Sequence, residues 1–118
     1  MLALTFNGKG NLVTVTPWTK NDKQTWSVNQ FRTSVTRTFS PASDNSLQVA
    51  MHGRTAIDVR AANSYTWMPV NTADGVLIPD SGGNTNFWGL ANAVVDQSVP
   101  FTEGNGSDKQ HWIFVPAS

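Results

Sequence analysis

The sequence predicts a single all-β domain built from three copies of a unit of roughly forty residues. Three observations carry that expectation: a tryptophan motif at near-constant spacing, short segments in which apolar and polar residues alternate, and turn-forming residues between those segments. The motif reads Gln24-Thr25-Trp26, Tyr65-Thr66-Trp67 and Gln110-His111-Trp112, with the tryptophans 41 and 45 residues apart. Such a spacing marks a repeated supersecondary unit. Asp22-Lys23-Gln24-Thr25-Trp26 and Asp108-Lys109-Gln110-His111-Trp112 agree at four of five positions, and each tryptophan opens an apolar stretch: Trp-Ser-Val, Trp-Met-Pro-Val and Trp-Ile-Phe-Val.

Two further strands are expected ahead of each tryptophan: Leu2 to Phe6 with Leu12 to Thr16, Ser46 to Met51 with Thr55 to Val59, and Asn86 to Leu90 with Val94 to Phe101. Asn11-Leu12-Val13-Thr14-Val15-Thr16 and Ala56-Ile57-Asp58-Val59-Arg60 alternate with period 2, as half-buried strands do. Asn7-Gly8-Lys9-Gly10, His52-Gly53-Arg54 and Asp80-Ser81-Gly82-Gly83-Asn84 supply the positive-φ residues that tight hairpins require. The second unit should open with a strand near Ser34 to Phe39 and the third near Asp74 to Pro79, giving repeats of about 1–32, 33–72 and 73–118. By that count the first unit lacks one of twelve strands, or begins with it rearranged. Helical periodicity is absent apart from one expected turn in Gly89 to Val95.

Composition narrows the function classes. Charged residues make up 14% of the chain and the formal net charge is +0, with the eight basic side chains scattered, so the footprint of a nucleic-acid or anionic-membrane binder is missing. No segment reaches transmembrane length. The start of the sequence has neither the charged region nor the apolar run of a signal peptide, which leads to the expectation of a cytoplasmic protein. With no cysteine, packing rather than disulfides must stabilise the fold. An Asn105-Gly106-Ser107 triplet matches the glycosylation acceptor pattern, relevant only to a secreted chain.

The triplicated unit ending in Gln-x-Trp resembles the ricin-B (R-type) β-trefoil family, in its cytosolic fungal and bacterial form without disulfides, over nearly the whole chain. The resemblance implies a lectin with up to three shallow sugar pockets. Each would use an acid on the second strand, an aromatic on the third, and an Asn just before the Gln of Gln-x-Trp. A ring stacks on the apolar face of a sugar while carboxylate and amide take its hydroxyls. This sequence departs from that pattern. The acid position falls near Ala3, Gln48 and Trp88, and Lys23, Ser64 and Lys109 stand at the Asn position. Two units keep a ring, Trp18 and Phe101, each followed by an aspartate in the place of the missing acid. The candidate carbohydrate-binding residues are therefore Trp18, Asp22 and Lys23, and Phe101, Asp108 and Lys109. The second unit has Ala61 at the ring position and reads as inactive.

Each feature also has a plain structural reading. Trp26, Trp67 and Trp112, recurring at equivalent positions, read as core, and Gln24 and Gln110 as partners of backbone groups. Trp18 and Trp88 lie outside the repeat positions, where a ring either stacks on a ligand or packs inside. His52 and His111 stand alone, without the neighbours a metal site needs. No nucleophile elbow, phosphate loop or carboxylate pair points to an enzyme, and only Asp58 or Asp96 offers a histidine a partner across the fold. No cofactor is expected. The rival to a glycan-binding protein is a protease inhibitor using an exposed loop, Thr19 to Lys23, Ser40 to Asn45 or Pro79 to Asn84. Expected partners are thus glycans or glycoproteins, alternatively a protease, with a homo-oligomer suggested by an unpaired strand edge.

Overall fold

In the computed structural model, which describes residues 1–53, 55–82, 86–90, 92–105 and 108–116, ten strands pair as five antiparallel hairpins. β1 (Leu2–Thr5) pairs with β2 (Thr14–Pro17), β3 (Trp26–Gln30) with β4 (Arg37–Pro41), and β5 (Leu47–His52) with β6 (Ala56–Ala61). β7 (Val70–Thr72) pairs with β8 (Gly75–Leu77), and β9 (Asn86–Trp88) with β10 (Phe101–Glu103). Alternation sets the faces: in β5 and β6, Leu47, Val49, Ile57 and Val59 are buried in the core, while the intervening residues Gln48, His52, Asp58 and Arg60 share the opposite face. Gly75, at φ +132, opens β8 against the Trp112 carbonyl, where a Cβ would come within 3.0 Å of that oxygen.

The threefold repeat is visible in hydrogen bonds. Each motif tryptophan donates its indole Nε1–H to a carbonyl on the first hairpin strand of its own unit: Trp26 to Leu4 at 3.1 Å, Trp67 to Val49 at 3.1 Å and Trp112 to Trp88 at 2.8 Å. Gln24 accepts from the Thr19 N–H and donates to the Pro17 carbonyl and the Thr16 hydroxyl, each at 2.8 Å. Gln110 repeats this with the Asn105 N–H, the Glu103 carbonyl and the Thr102 hydroxyl. In the second unit Tyr65 stands at the glutamine's place. There Gln48 Oε1, on β5, accepts from the Asn63 and Tyr65 N–H groups.

The core settles one ring that the sequence left open between a ligand and the interior. Trp88 is fully buried and sits between Phe39 and Trp67, each at a 5.0 Å centroid separation. Trp67 is 2% exposed, whereas Trp26 and Trp112 pack against the core only partly buried. The segment Val94 to Pro100, expected as strand, forms bridges at Ser98 and Pro100 and becomes a strand only at Phe101. No helical turn occupies the described part of Gly89 to Val95. The two 3-10 turns lie instead at Asp22–Gln24 and Asp108–Gln110, where the repeated Asp-Lys-Gln carries the chain into the tryptophan. After Trp112 no strand forms among the described residues, since no partner strand lies beside it.

Candidate functional site

Among the described residues, a polar cluster joined by two ion pairs lies in the second unit, on the outer face of the β5–β6 hairpin. Asp58 stands opposite Ala50, so His52 is its diagonal neighbour across the hairpin and Arg60 its neighbour two residues along the same strand face. The Asp58 side chain is 4% exposed. Its carboxylate accepts from His52 Nδ1 at 2.8 Å, from Arg60 Nε at 2.9 Å and from Arg60 Nη2 at 2.6 Å. Burial alone would raise the carboxyl's pKa; the hydrogen bonds and charges of Arg60 and His52 outweigh it and hold the pKa below the ordinary carboxylate range. The outer ends of both partners stay in water, with the His52 and Arg60 side chains 54% and 40% exposed.

Tyr65 completes the cluster. Its ring lies 5.8 Å from the Arg60 guanidinium, at cation–π distance. The preceding Ser64 holds a left-handed φ of 60°, uncommon for a residue with a side chain and frequent at binding sites. The fold thus fixes one aromatic face, a charged fork of donors and an imidazole around a single buried carboxylate. That arrangement can orient neutral polyhydroxyl groups.

The residues singled out from sequence scatter over three environments. Trp18 is half-buried in the loop after β2, its N–H bonded to the Met1 carbonyl and Lys20 Nζ 5.5 Å from its ring centroid. Asp22 and Lys23 are exposed in the 3-10 turn capped by Asn21, and the Lys23 carbonyl accepts from the Phe6 N–H. Asp108 and Lys109, exposed in the equivalent turn, line one broad groove of about 930 Å³ together with Trp18, Lys20 and Trp112, while Asp22 and Lys23 do not. Phe101 is a correction: it is 7% exposed, with its ring edge-on to Trp67 at 5.8 Å. Strand alternation turns it into the core, so it cannot stack on a sugar. The second unit, read as inactive, carries the cluster instead. Asp58-Val59-Arg60 alternation was the available signal for it; the Gln48 clamp that docks Tyr65 was not, because it links residues 17 apart.

Comparison with known proteins places the chain. A family model described as CCL2 lectin-like matches residues 1–112. The chain belongs to the CCL2 lectin-like family. Solved structures share the fold at low identity. A mosquitocidal holotoxin superposes with a TM-score of 0.86 at 13% identity, over 95% of this chain and 15% of the toxin. The designed threefold-symmetric protein ThreeFoil gives 0.82 at 14%, over 98% and 91%, and the Rhizoctonia solani agglutinin 0.78 at 17%, over 97% and 84%. The chain therefore spans about 15% of the toxin's length and most of the other two. No curated protein matches. This member of the CCL2 lectin-like family is a β-trefoil and a carbohydrate-binding protein.

Proposed function

We propose that this lectin holds glycan, without catalysis, at the second-unit cluster, with the Tyr65 ring against the sugar's apolar face and Arg60 and His52 donating to its hydroxyls. The observation that carries this reading is the buried Asp58, which fixes both donors before a ligand arrives, so less side-chain freedom is lost on binding. A second, weaker contact is supported in the first unit, where Trp18 and Lys20 present a ring and a cation without a buried anchor.

The test is retention on a glycan array of wild type, Tyr65→Ala, His52→Ala and Trp18→Ala, beside a panel of proteases. Tyr65→Ala and His52→Ala should each weaken retention about tenfold or more, roughly the loss of one stacking or charge-assisted contact, with Trp18→Ala close to wild type. Loss confined to Trp18→Ala would move the site to the first unit. Stoichiometric inhibition of a protease with a blank array would replace the glycan reading with the inhibitor.

A further inference from the structure

The second unit differs from the other two at three linked positions, and the difference frees its motif position for a ring. The indole-accepting carbonyls of Leu4, Val49 and Trp88 align the units, so Ala3, Gln48 and Phe87, one residue earlier, are equivalent. Opposite them in the hairpin registers stand Thr16, Arg60 and Thr102. In the first and third units the motif glutamine donates to that threonine hydroxyl at 2.8 and 3.1 Å. It also clamps its own loop through Oε1, which accepts from the Thr19 or Asn105 N–H at 2.8 or 3.0 Å. In the second unit the glutamine is replaced by Tyr65 and the threonine by Arg60, so that pair of bonds is lost. From Ala61 to Tyr65 the loop is also three residues shorter than from Pro17 to Gln24 or from Glu103 to Gln110, and it has no 3-10 turn.

The clamp has moved to the facing strand. Gln48 Oε1 accepts from the N–H groups of Asn63 and Tyr65 at 3.2 and 3.1 Å, and the left-handed Ser64 between them turns both donors to one side. Gln48 and Arg60 are paired across the hairpin and share its outer face. That face therefore holds Tyr65 twice, with Gln48 at its backbone and Arg60 over its ring at 5.8 Å. We infer that Gln48 is the positioning residue of the glycan site, holding the Tyr65 ring where the sugar stacks; this rests on the reading of the second-unit cluster as that site. Gln48 acts through Tyr65 rather than on the sugar. It removes freedom from the loop before the ligand arrives, freedom that would otherwise be lost on binding. Both bonds are accepted by one oxygen, so a carboxylate can replace the amide, whereas the thioether of methionine, of similar length, is a weak acceptor.

Tyr65 is the chain's one tyrosine, so protein labelled with 3-fluorotyrosine shows a single fluorine resonance that reports this ring alone. Gln48→Met should move that resonance towards its value in the urea-unfolded chain, and Gln48→Glu should leave it in place. Gln110→Ala, which breaks the equivalent clamp in the third unit, should leave it in place too. Glycan-array retention should follow the ring. Gln48→Met should weaken it about threefold to tenfold, while Gln48→Glu and Gln110→Ala stay close to wild type, although Gln110→Ala lowers the melting temperature. Adding Gln48→Met to Tyr65→Ala should weaken retention no further, as for two residues that act through one contact. An unmoved resonance in Gln48→Met, or a Gln48→Glu variant that behaves as Gln48→Met does, overturns the positioning role. So does an equal loss of retention in Gln110→Ala, which would make the effect one of stability. Undiminished retention in Tyr65→Ala overturns the glycan site instead, and the fluorine resonance still decides whether Gln48 holds the ring.

Discussion

Removing Arg60 should harm the fold more than removing Asp58, although both substitutions break the same ion pair. Arg60→Ala leaves a carboxylate with a 4% exposed side chain holding only the His52 bond. Losing one partner of a fully buried pair costs about 3–5 kcal/mol; the surviving histidine reduces this to about 2–3 kcal/mol. Asp58→Ala instead leaves two donors whose side chains are 54% and 40% exposed, which water can satisfy, for about 1–2 kcal/mol. In a domain of this size each kcal/mol moves Tm by about 4–6 °C. Urea unfolding at pH 7 should rank wild type above Asp58→Ala above Arg60→Ala, with the double variant close to Asp58→Ala. At pH 3 the Arg60→Ala penalty should shrink, because protonation removes the stranded charge. Equal losses, or Asp58→Ala the worse, would refute the claim that Asp58 is the buried anchor.

Acid should destabilise the wild type as pH falls below about 4: the Asp58 pKa is lowered in the folded state, so its contribution is present above the unfolded carboxylate value and lost as pH drops through the folded one. A pH series of denaturant midpoints checks this, and the decline should be weaker in Asp58→Ala. Gln110→Ala should cost about 2–3 kcal/mol and Gln24→Ala about 1 kcal/mol, because Gln110 is 2% exposed while water can reach the groups that Gln24 serves; thermal melts of the two variants decide it. Gly89→Ala should cost about 1–3 kcal/mol by overpacking, since a Cβ there would lie 2.5 Å from Gln110 Cγ; a paired Gln110→Ala should restore part of the loss in a double-mutant melt.

The fold was legible because its signals are local and repeated. Three tryptophans at near-equal spacing and Gly-containing turns locate five hairpins, and the three indole-to-carbonyl bonds confirm that Trp26, Trp67 and Trp112 do one job. Trp88 was illegible: it stands with Leu4 and Val49 at a repeat position that no sequence motif marks, and only tertiary packing against Phe39 and Trp67 decides that it is core. The site was legible only in part. Trp18 lies at the surface, but Phe101 was assigned by position along the unit when strand alternation determines its face. Tyr65 was passed over because the expected ring position held Ala61, whereas the ring arrives from the far side of the loop, drawn in by Gln48. His52 looked isolated because its carboxylate partner comes from the neighbouring strand, six residues on.

The perpendicular contact of Trp67 and Trp88, 5.0 Å apart at 78°, gives the molecule an internal optical label. Two indoles so close couple their excited states, so near-ultraviolet circular dichroism should carry a signal that exists only when the three units have closed around a common centre. Neither ring reaches the surface, so that signal should stay constant when sugar binds. The molecule can thereby report its own closure without a dye.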